Sequence, residues 1–366
     1  MRKHYLDNIR WITVAIVVLY HVFYMYNAEG IPGVVGKITN MNVQYQDLFQ
    51  YIVYPWIMPV LFIVSGISSR LYLDRHTAKE FVRSRTAKCL VPTTIGLLAF
   101  QFIQGYVNAS LSNALVNTRE GMQGMPAPVV FLVCAIICIA SGQGVLWYIQ
   151  MLWLFSLALL LIRLIDKDRL WKVCAGTPVW VIVLLAVPVY LAGQIGNTPL
   201  IVVYRFGLYF FVFLLGYFVF SHDEVIERMK KYFLLFLIPA IGLGTAFCII
   251  YFGKNYADNP VYRSPLFLAY SYFSCMAIIA CAARFGDVAN PFTQWMSKRS
   301  FGLYIFHYLG ISSVGLFLVR PGLVPPVAAY LLSTVAGFAG AYLLYEIISR
   351  IPVYRWMVLG MKGKKK

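Results

Sequence analysis

Runs of apolar residues follow one another along the whole chain, and each is close to the length of about 20 residues that crosses a bilayer core. Short polar and charged stretches separate these runs. We predict ten membrane-spanning helices, at residues 9–28, 48–69, 91–107, 144–164, 176–194, 201–220, 232–252, 264–283, 300–319 and 325–348. The pattern therefore predicts an all-α fold class, a polytopic helical bundle in a membrane.

One further apolar stretch, residues 126–141, has an uninterrupted core of only 129–140, which is more typical of a buried or re-entrant segment. The distribution of lysine and arginine decides whether this stretch spans the membrane, because cytoplasmic loops carry an excess of these residues. Without this stretch as a span, 24 cations lie on the cytoplasmic side and five outside; with it, the numbers become 11 and 18. We therefore predict ten spans with both termini cytoplasmic, and an outer-face excursion at 108–143 that holds one short, partly inserted hairpin.

The composition agrees with this class of protein. Of 366 residues, 60% are hydrophobic and 12% charged, which excludes an ordinary soluble domain. The net charge is +17, but the cations lie between apolar runs and in the basic tail at 350–366, so they indicate topology and no nucleic-acid surface. The first run lacks a small-residue cleavage site, so we expect it to be retained. No repeat or soluble appendage is visible, which predicts a single membrane domain over 1–366.

The seven cysteines lie in or beside apolar runs, without the spacing of a metal site or a disulfide framework. Cys134 and Cys138 share one helical face, but no matching histidine or cysteine pair accompanies them. We expect Cys134 and Cys138 to be small buried hydrophobic residues, and we expect no metal cofactor.

The first span carries two ionisable residues on one face. Arg10 and His21 are eleven residues apart, which is about three turns and about 16 Å along a helix axis. Asp7 lies one turn before Arg10 and can pair with it. In the predicted orientation Arg10 lies near the cytoplasmic interface and His21 near the midplane. Taken alone, Arg10 can be an interfacial anchor and His21 a packing histidine. A neutral imidazole near the midplane can, however, also accept or donate a proton.

Other polar groups near the cytoplasmic side are candidates because such groups are costly inside a membrane. The basic rim of Arg83, Arg85 and Lys88 before the third span suits phosphate groups, although a cytoplasmic loop needs no ligand to be basic. Glu346 lies in the last span with Arg350 four residues on, and an intrahelical ion pair is the simpler role for this carboxylate.

Four further candidates lie deeper or on the outer side. Tyr304 and His307 are one turn apart on one face of the ninth span. Trp147 and Gln150 lie at the outer end of the fourth span, beside a tyrosine typical of an interfacial belt. Arg205 lies at the outer end of the sixth span, where it can contact an acceptor or extend to the interface.

Together these segments resemble the transmembrane acyltransferase family 3, the enzymes that O-acylate extracytoplasmic glycans. The resemblance begins with LDNIR, ten further residues and His21, and continues in MPVLFIVSGISSRL, FVRSRTAKCLVP, LWYIQ, SFGLYIFH and YEIISR. It therefore extends over most of the chain. One position departs from the family pattern: where members often have Arg-x-x-Arg, this chain has Arg85 and Lys88, and lysine keeps the charge but not the bidentate phosphate geometry. We see no counterpart here of the soluble esterase-like domain of some members, and we expect the membrane domain itself, or a separate partner, to complete the acylation.

The resemblance implies transfer of an acyl group, an acetyl group in the first instance, from cytoplasmic acyl-CoA to a hydroxyl of an extracytoplasmic or lipid-linked glycan at a plasma (inner) membrane. His21 is then the catalytic residue, as general base or as nucleophile. The implied binding residues are Arg10, Arg83, Arg85, Lys88, Tyr304 and His307 for the donor, Trp147, Gln150 and Arg205 for the acceptor, with Asp7 and Glu346 as structural support. The implied partners are membrane lipid, acyl-CoA and the glycan, with no nucleic acid.

Two other functions fit ten spans with buried polar groups. One is a transporter or flippase of a lipid-linked sugar, although no inverted repeat and no pair of matching broken helices is visible in the sequence. The other is a non-catalytic membrane component of a polysaccharide assembly complex, in which Arg10 and His21 serve only anchoring and packing.

Overall fold

A computed structural model describes residues 3–29, 33–198 and 204–361. Over these ranges the chain is a helical bundle without strands, apart from one isolated antiparallel bridge between Asn197 and Arg205. The helices are α1 His4–Met25, α2 Leu48–Leu73, α3 Ala78–Arg85, α4 Val91–Gly96, α5 Phe102–Leu111, α6 Ala114–Gly121, α7 Ala127–Gly142, α8 Trp147–Asp166, α9 Arg169–Cys174, α10 Val179–Leu184, α11 Ala186–Ala192, α12 Phe206–Phe218, α13 Asp223–Lys231, α14 Leu234–Tyr251, α15 Asn259–Tyr262, α16 Pro265–Phe285, α17 Pro291–Val314, α18 Pro326–Val335, α19 Ala341–Arg350 and α20 Pro352–Leu359. The predicted polytopic all-α bundle is thus confirmed.

Within the described ranges, eight helical runs are long and apolar enough to cross a membrane, or nine if one bent pair is a single span. They are His4–Met25, Tyr45–Leu73, Ala78–Leu111, Gly144–Asp166, Leu234–Tyr251, Pro265–Phe285, Pro291–Val319 and Pro326–Arg350. The bent pair is α12 and α13, whose axes differ by 103°. Eight of the ten predicted spans therefore correspond to long helical runs.

The other two predicted spans form shorter helices. The span at 176–194 is broken into α10 and α11. Pro188 explains the break, because its ring clashes with the carbonyl of Leu184, the residue at which α10 ends. The span at 201–220 begins outside the described residues, and its described helix α12 has 13 residues.

The third predicted span begins earlier than the sequence indicated. The stretch with Arg83, Arg85 and Lys88, placed before the third span in the sequence, is helical, because α3 continues through a π-helical turn at Thr86–Leu90 into α4. Pro92 lies four residues after Lys88 and blocks a regular α-helical hydrogen bond there. The wider π turn accommodates it and keeps the helix continuous. Three further π-helical turns lie at Leu97–Gln101, Gly315–Val319 and Ala336–Gly340.

The ambiguous stretch at 126–141 forms α7, a helix of 16 residues with many exposed apolar side chains. It packs antiparallel to α5, because Gly105 lies against the Cys138 carbonyl and Gly142 against the carbonyl of Gln101. α5 and α7 thus form an antiparallel helical hairpin, and the partly inserted hairpin within 108–143 stays a prediction. The prediction that Cys134 and Cys138 are buried is wrong, because α7 leaves many of its side chains exposed and both cysteines are only partly buried.

The chain divides into two compact units. Unit 1 comprises Met1–Ile16, Leu48–Arg85 and Met151–Lys298, and unit 2 comprises Val17–Asp47, Thr86–Gln150 and Arg299–Lys366. Inside unit 1, α2 and α12 approach closely because Gly66 and Gly216 leave room for the opposite backbone. The single domain predicted over 1–366 stays a prediction, and the last part of its basic tail, 362–366, lies outside the described residues.

Candidate functional site

His21 lies near the C-terminal end of α1, in unit 2, and is partly exposed. Its Nδ1 lies 2.8 Å from the Val17 carbonyl oxygen one turn earlier. The edge-on rings of Tyr20, Tyr24 and Tyr308 surround the imidazole, with ring centroids 5.0 to 6.0 Å away. A carbonyl oxygen can only accept a hydrogen bond, so Nδ1 carries the proton and Nε2 of the neutral ring carries the lone pair. This nitrogen can therefore act as a base or a nucleophile.

His307, from the middle of α17, contacts His21 directly. Its Nε2 lies 3.1 Å from His21 Nδ1, and the two ring centroids are 4.9 Å apart. The His307 side chain is fully buried, and its own Nδ1 lies 2.8 Å from the Tyr304 carbonyl oxygen. Sequence reasoning selected both histidines but missed their contact. The sequence held part of the signal for this contact, since each residue is a histidine well inside a predicted span.

Tyr304 fixes the segment before α8 against α17. Its hydroxyl donates a hydrogen bond to the Val145 carbonyl, and its ring centroid lies 5.8 Å from that of Tyr148. Trp147 is half-buried, with its ring 6.4 Å from that of Tyr148. Within unit 2 the structure thus joins Tyr304 and the segment that carries Trp147.

Gln150, predicted to bind the acceptor, lies one turn into α8. Its amide oxygen accepts a hydrogen bond of 2.6 Å from Gln143 Nε2 at the end of the α5–α7 hairpin. This contact links α8 to the hairpin in unit 2, and the acceptor-binding role of both Gln150 and Trp147 stays a prediction.

Arg10 and Arg85 converge on two consecutive serines of α2, all within unit 1. Arg10 forms the predicted ion pair with Asp7 at 3.0 Å and donates a hydrogen bond to Ser68 Oγ. Arg85 Nη2 donates to Ser69 Oγ at 2.8 Å. Each serine hydroxyl donates to a carbonyl one turn earlier on α2, so its oxygen is left to accept from the arginine. The two serines were missed in the sequence, where their signal was a polar pair at the end of a span.

The other members of the basic rim differ in exposure. Arg83 and Lys88 are exposed, whereas Arg85 is half-buried with its guanidinium 5.1 Å from the ring centroid of Phe81. Among the described residues Arg85 forms no ion pair with a carboxylate. Its charge is therefore not neutralised by a neighbouring acid, which suits an anionic ligand.

Arg70, directly after these serines, has a different environment. Its side chain is buried, forms ion pairs with Asp74 at 2.9 Å and Asp168 at 2.7 Å, and lies 3.9 Å from the ring centroid of Trp171. Two carboxylates neutralise this guanidinium, so Arg70 stabilises unit 1 and contributes little to the basic rim.

Arg205 is buried at the start of α12 and does not extend to a surface. Its Nη2 lies 2.5 Å from the Tyr54 hydroxyl, and its Cζ lies 4.2 Å from the ring centroid of Tyr262. The contact is of the cation–π type, which stabilises a guanidinium away from water. Acceptor binding by Arg205 stays a prediction.

Glu346 has a nearer partner than the one the sequence indicated. The expected contact with Arg350 is present at 3.5 Å, but Arg350 is 79% exposed. Arg299 from α17 places Nη2 at 2.8 Å and Nε at 3.0 Å from Glu346 Oε1. The carboxylate therefore joins α19 to α17, the helix that carries His307, and its supporting role is mainly between helices.

A family model described as an acyltransferase domain matches residues 3–346, nearly the whole chain. No curated protein and no solved structure matches the chain.

Proposed function

The chain belongs to acyltransferase family 3, and from this membership we propose that it transfers an acyl group, an acetyl group in the first instance, from cytoplasmic acyl-CoA to a hydroxyl of an extracytoplasmic or lipid-linked glycan. Membership in an acyltransferase family favours this function over the transporter and the non-catalytic component. The enzyme would act in the plasma (inner) membrane with both termini cytoplasmic, as the distribution of lysine and arginine predicts.

The observation that carries the proposal is the tautomer of His21, together with the partial exposure of its side chain. Its Nδ1–H is held by the Val17 carbonyl at 2.8 Å, which leaves the lone pair on Nε2. The side chain is partly exposed, and the proposal requires access of a substrate hydroxyl or thioester to this nitrogen. A packing histidine has no need of such access.

In the general-base route, His21 Nε2 takes the proton of the acceptor hydroxyl while the oxygen attacks the thioester carbonyl carbon. The C–S bond breaks, and the departing CoA thiolate takes the proton from Nε2. In the nucleophilic route, Nε2 attacks the thioester carbonyl carbon first, the C–S bond breaks, and CoA leaves as the thiolate. The acceptor oxygen then attacks the acyl-imidazolium, the C–N bond breaks to restore neutral His21, and the hydroxyl proton passes to the thiolate. Both routes give one ester and one CoA thiol.

The donor phosphates would bind at the N-terminal end of α1. Arg85 supplies a guanidinium with hydroxyl and ring contacts but no carboxylate partner among the described residues, and Arg10 lies on the neighbouring serine. Exposed Arg83 and Lys88 add positive charge. These groups suit the phosphates of CoA, which carry several negative charges.

A single unbroken helix, α1, carries Arg10 and His21 on one face. Their separation is about 16 Å along the axis, which suits an extended pantetheine arm between phosphates and thioester. Only the acyl group would then pass the midplane, whereas export of charged CoA through hydrocarbon is prohibitive. Acceptor contacts by Trp147, Gln150 and Arg205 remain predictions from the sequence.

The test uses purified protein in nanodiscs with acetyl-CoA. CoA is separated by chromatography and quantified, because the seven cysteines of the chain interfere with thiol reagents. Wild type should hydrolyse acetyl-CoA slowly, and His21→Ala should reduce CoA release to the uncatalysed rate. His76→Ala is the matched control, since His76 is exposed on the α2–α3 connection. Acid-quenched protein is analysed for acetylated His21, which separates the two routes.

Folding of each variant is checked by thermal unfolding and gel filtration. If folded His21→Ala releases CoA as fast as wild type, the proposal is wrong. A second arm measures the rise in melting temperature on adding CoA, which a ligand of the folded state causes. Arg85→Ala should diminish that rise, and Arg83→Ala should diminish it less, because Arg83 is exposed. Equal rises in wild type and Arg85→Ala would contradict the assignment of the donor site.

A further inference from the structure

We propose that His307 is the positioning residue of His21: its Nε2 accepts the Nδ1–H of His21 and so keeps His21 Nε2 directed at the substrate. The inference rests on the proposed role of His21 as base or nucleophile. It also gives His307 a role different from the donor contact expected from the sequence.

The hydrogen-bond acceptors around the pair determine where the protons lie. His307 Nδ1 lies 2.8 Å from the carbonyl oxygen of Tyr304 and 3.1 Å from that of Leu303. Because both oxygens can only accept, His307 Nδ1 carries a hydrogen, and its Nε2 carries a lone pair in the neutral ring. This Nε2 is the atom that lies 3.1 Å from His21 Nδ1.

His21 Nδ1 supplies the matching donor. It also lies 2.8 Å from the Val17 carbonyl, so it carries a hydrogen that two acceptors share. One arrangement of protons therefore satisfies every contact of the pair, namely Nδ1–H on both rings and a lone pair on both Nε2 atoms. In this arrangement His307 holds His21 from α17, whereas Val17 holds it from within α1.

The pair resembles part of a catalytic triad in which the neutral His307 ring replaces the carboxylate. In the serine hydrolase triad a carboxylate accepts Nδ1–H of the histidine, selects its tautomer and stabilises the imidazolium. His307 occupies the equivalent position, with its side chain fully buried among aromatic rings. When His21 Nε2 takes a proton or an acyl group, the positive charge of the ring strengthens the hydrogen bond to His307.

The contact also explains why the residue at 307 has to be specific. A packing role would need only the ring volume, and a donor-binding role would need an N–H or charge directed at CoA. Besides its ring contacts, His307 has three hydrogen-bond partners, namely two backbone acceptors on its own helix and one donor on His21. The specific requirement at position 307 is therefore the hydrogen-bond acceptor Nε2.

Three substitutions isolate that atom. His307→Phe keeps an aromatic ring without an acceptor, His307→Gln places an amide oxygen near the position of Nε2, and His307→Asn places one near Nδ1. Steady-state hydrolysis of acetyl-CoA is measured for each in nanodiscs. We expect kcat to fall about 10- to 100-fold in the Phe and Asn variants and much less in the Gln variant. The KM for acetyl-CoA should stay within about twofold of wild type in all three.

Each other result overturns the proposal. Wild-type kcat in the Phe variant shows that no acceptor is needed, and equal losses in all three show that the position of the acceptor atom is irrelevant. A raised KM with unchanged kcat restores the donor-binding role. If the Phe variant does not fold, the comparison of the Gln variant with the Asn variant still tests the proposal, because only the Gln amide reaches His21. The proposed function fails separately, through an active His21→Ala.

Discussion

A glycine that lies against the helices of the histidine pair allows a test of how closely these helices must pack. Gly337 lies in the π-helical turn Ala336–Gly340. A Cβ added there would lie 2.9 Å from Val18 Cγ1 and 3.1 Å from Ile311 Cγ1. Carbon atoms are best separated by about 3.5 to 4.0 Å, so the overlap is about 0.5 Å. Both neighbours are fully buried and β-branched, and a β-branched side chain in a helix has little rotamer freedom. The backbones themselves must therefore shift.

The shift acts directly on the site. Val18 follows the residue whose carbonyl holds His21, and Ile311 lies one turn after His307. A displacement of about 0.5 Å stretches the distance between the two histidine nitrogens from 3.1 Å to about 3.6 Å, beyond a hydrogen bond. Overpacking costs about 1–3 kcal/mol, and replacing a helical glycine by alanine gains about 1 kcal/mol. The net loss of stability is thus about 0–2 kcal/mol, while we expect kcat to fall about 10-fold.

The matched control lies in the same turn. Gly340→Ala places its Cβ where no atom lies within 4 Å, so its melting temperature and kcat should equal or slightly exceed those of wild type. Melting temperature and the kcat for acetyl-CoA hydrolysis are measured for both variants. Wild-type kcat in folded Gly337→Ala would refute the reasoning, and so would equal losses in the two variants.

Three further predictions concern packing and topology. Arg299→Gln should lower the melting temperature by the equivalent of roughly 1–2 kcal/mol, and Arg350→Gln by less than about 0.5 kcal/mol. Both arginines contact Glu346, but only the Arg299 guanidinium lies close to this carboxylate and is partly buried. Tyr304→Phe should destabilise the protein by about 0.5–1.5 kcal/mol in thermal unfolding, since it removes a buried hydrogen bond to the Val145 carbonyl; an unchanged melting temperature contradicts that contact. Cysteines introduced as Asn117→Cys and Lys167→Cys should be labelled by an impermeant reagent from opposite sides, and labelling of both from outside supports eleven spans.

Local features of the site follow from the sequence because helix geometry is regular. The eleven residues between Arg10 and His21 place them on one face in any unbroken helix, and Asp7 lies one turn from Arg10 in any register. The structure has both features. The same reasoning found the contact of Glu346 with Arg350 but not the shorter one with Arg299, because the sequence does not show which helices are neighbours.

The sequence by itself determined the class of the protein, its family resemblance and the approximate positions of most spans, because the bilayer sets the length and apolarity of a crossing helix. Tertiary structure decided what spacing cannot show: that His307 lies on His21, and that Ser68 and Ser69 bring two arginines together. Contacts between distant helices depend on how whole surfaces pack, and a few close approaches at glycines such as Gly337 set that packing. The candidate His21 was therefore predictable from one helix, whereas its contact with His307 was decided by the fold.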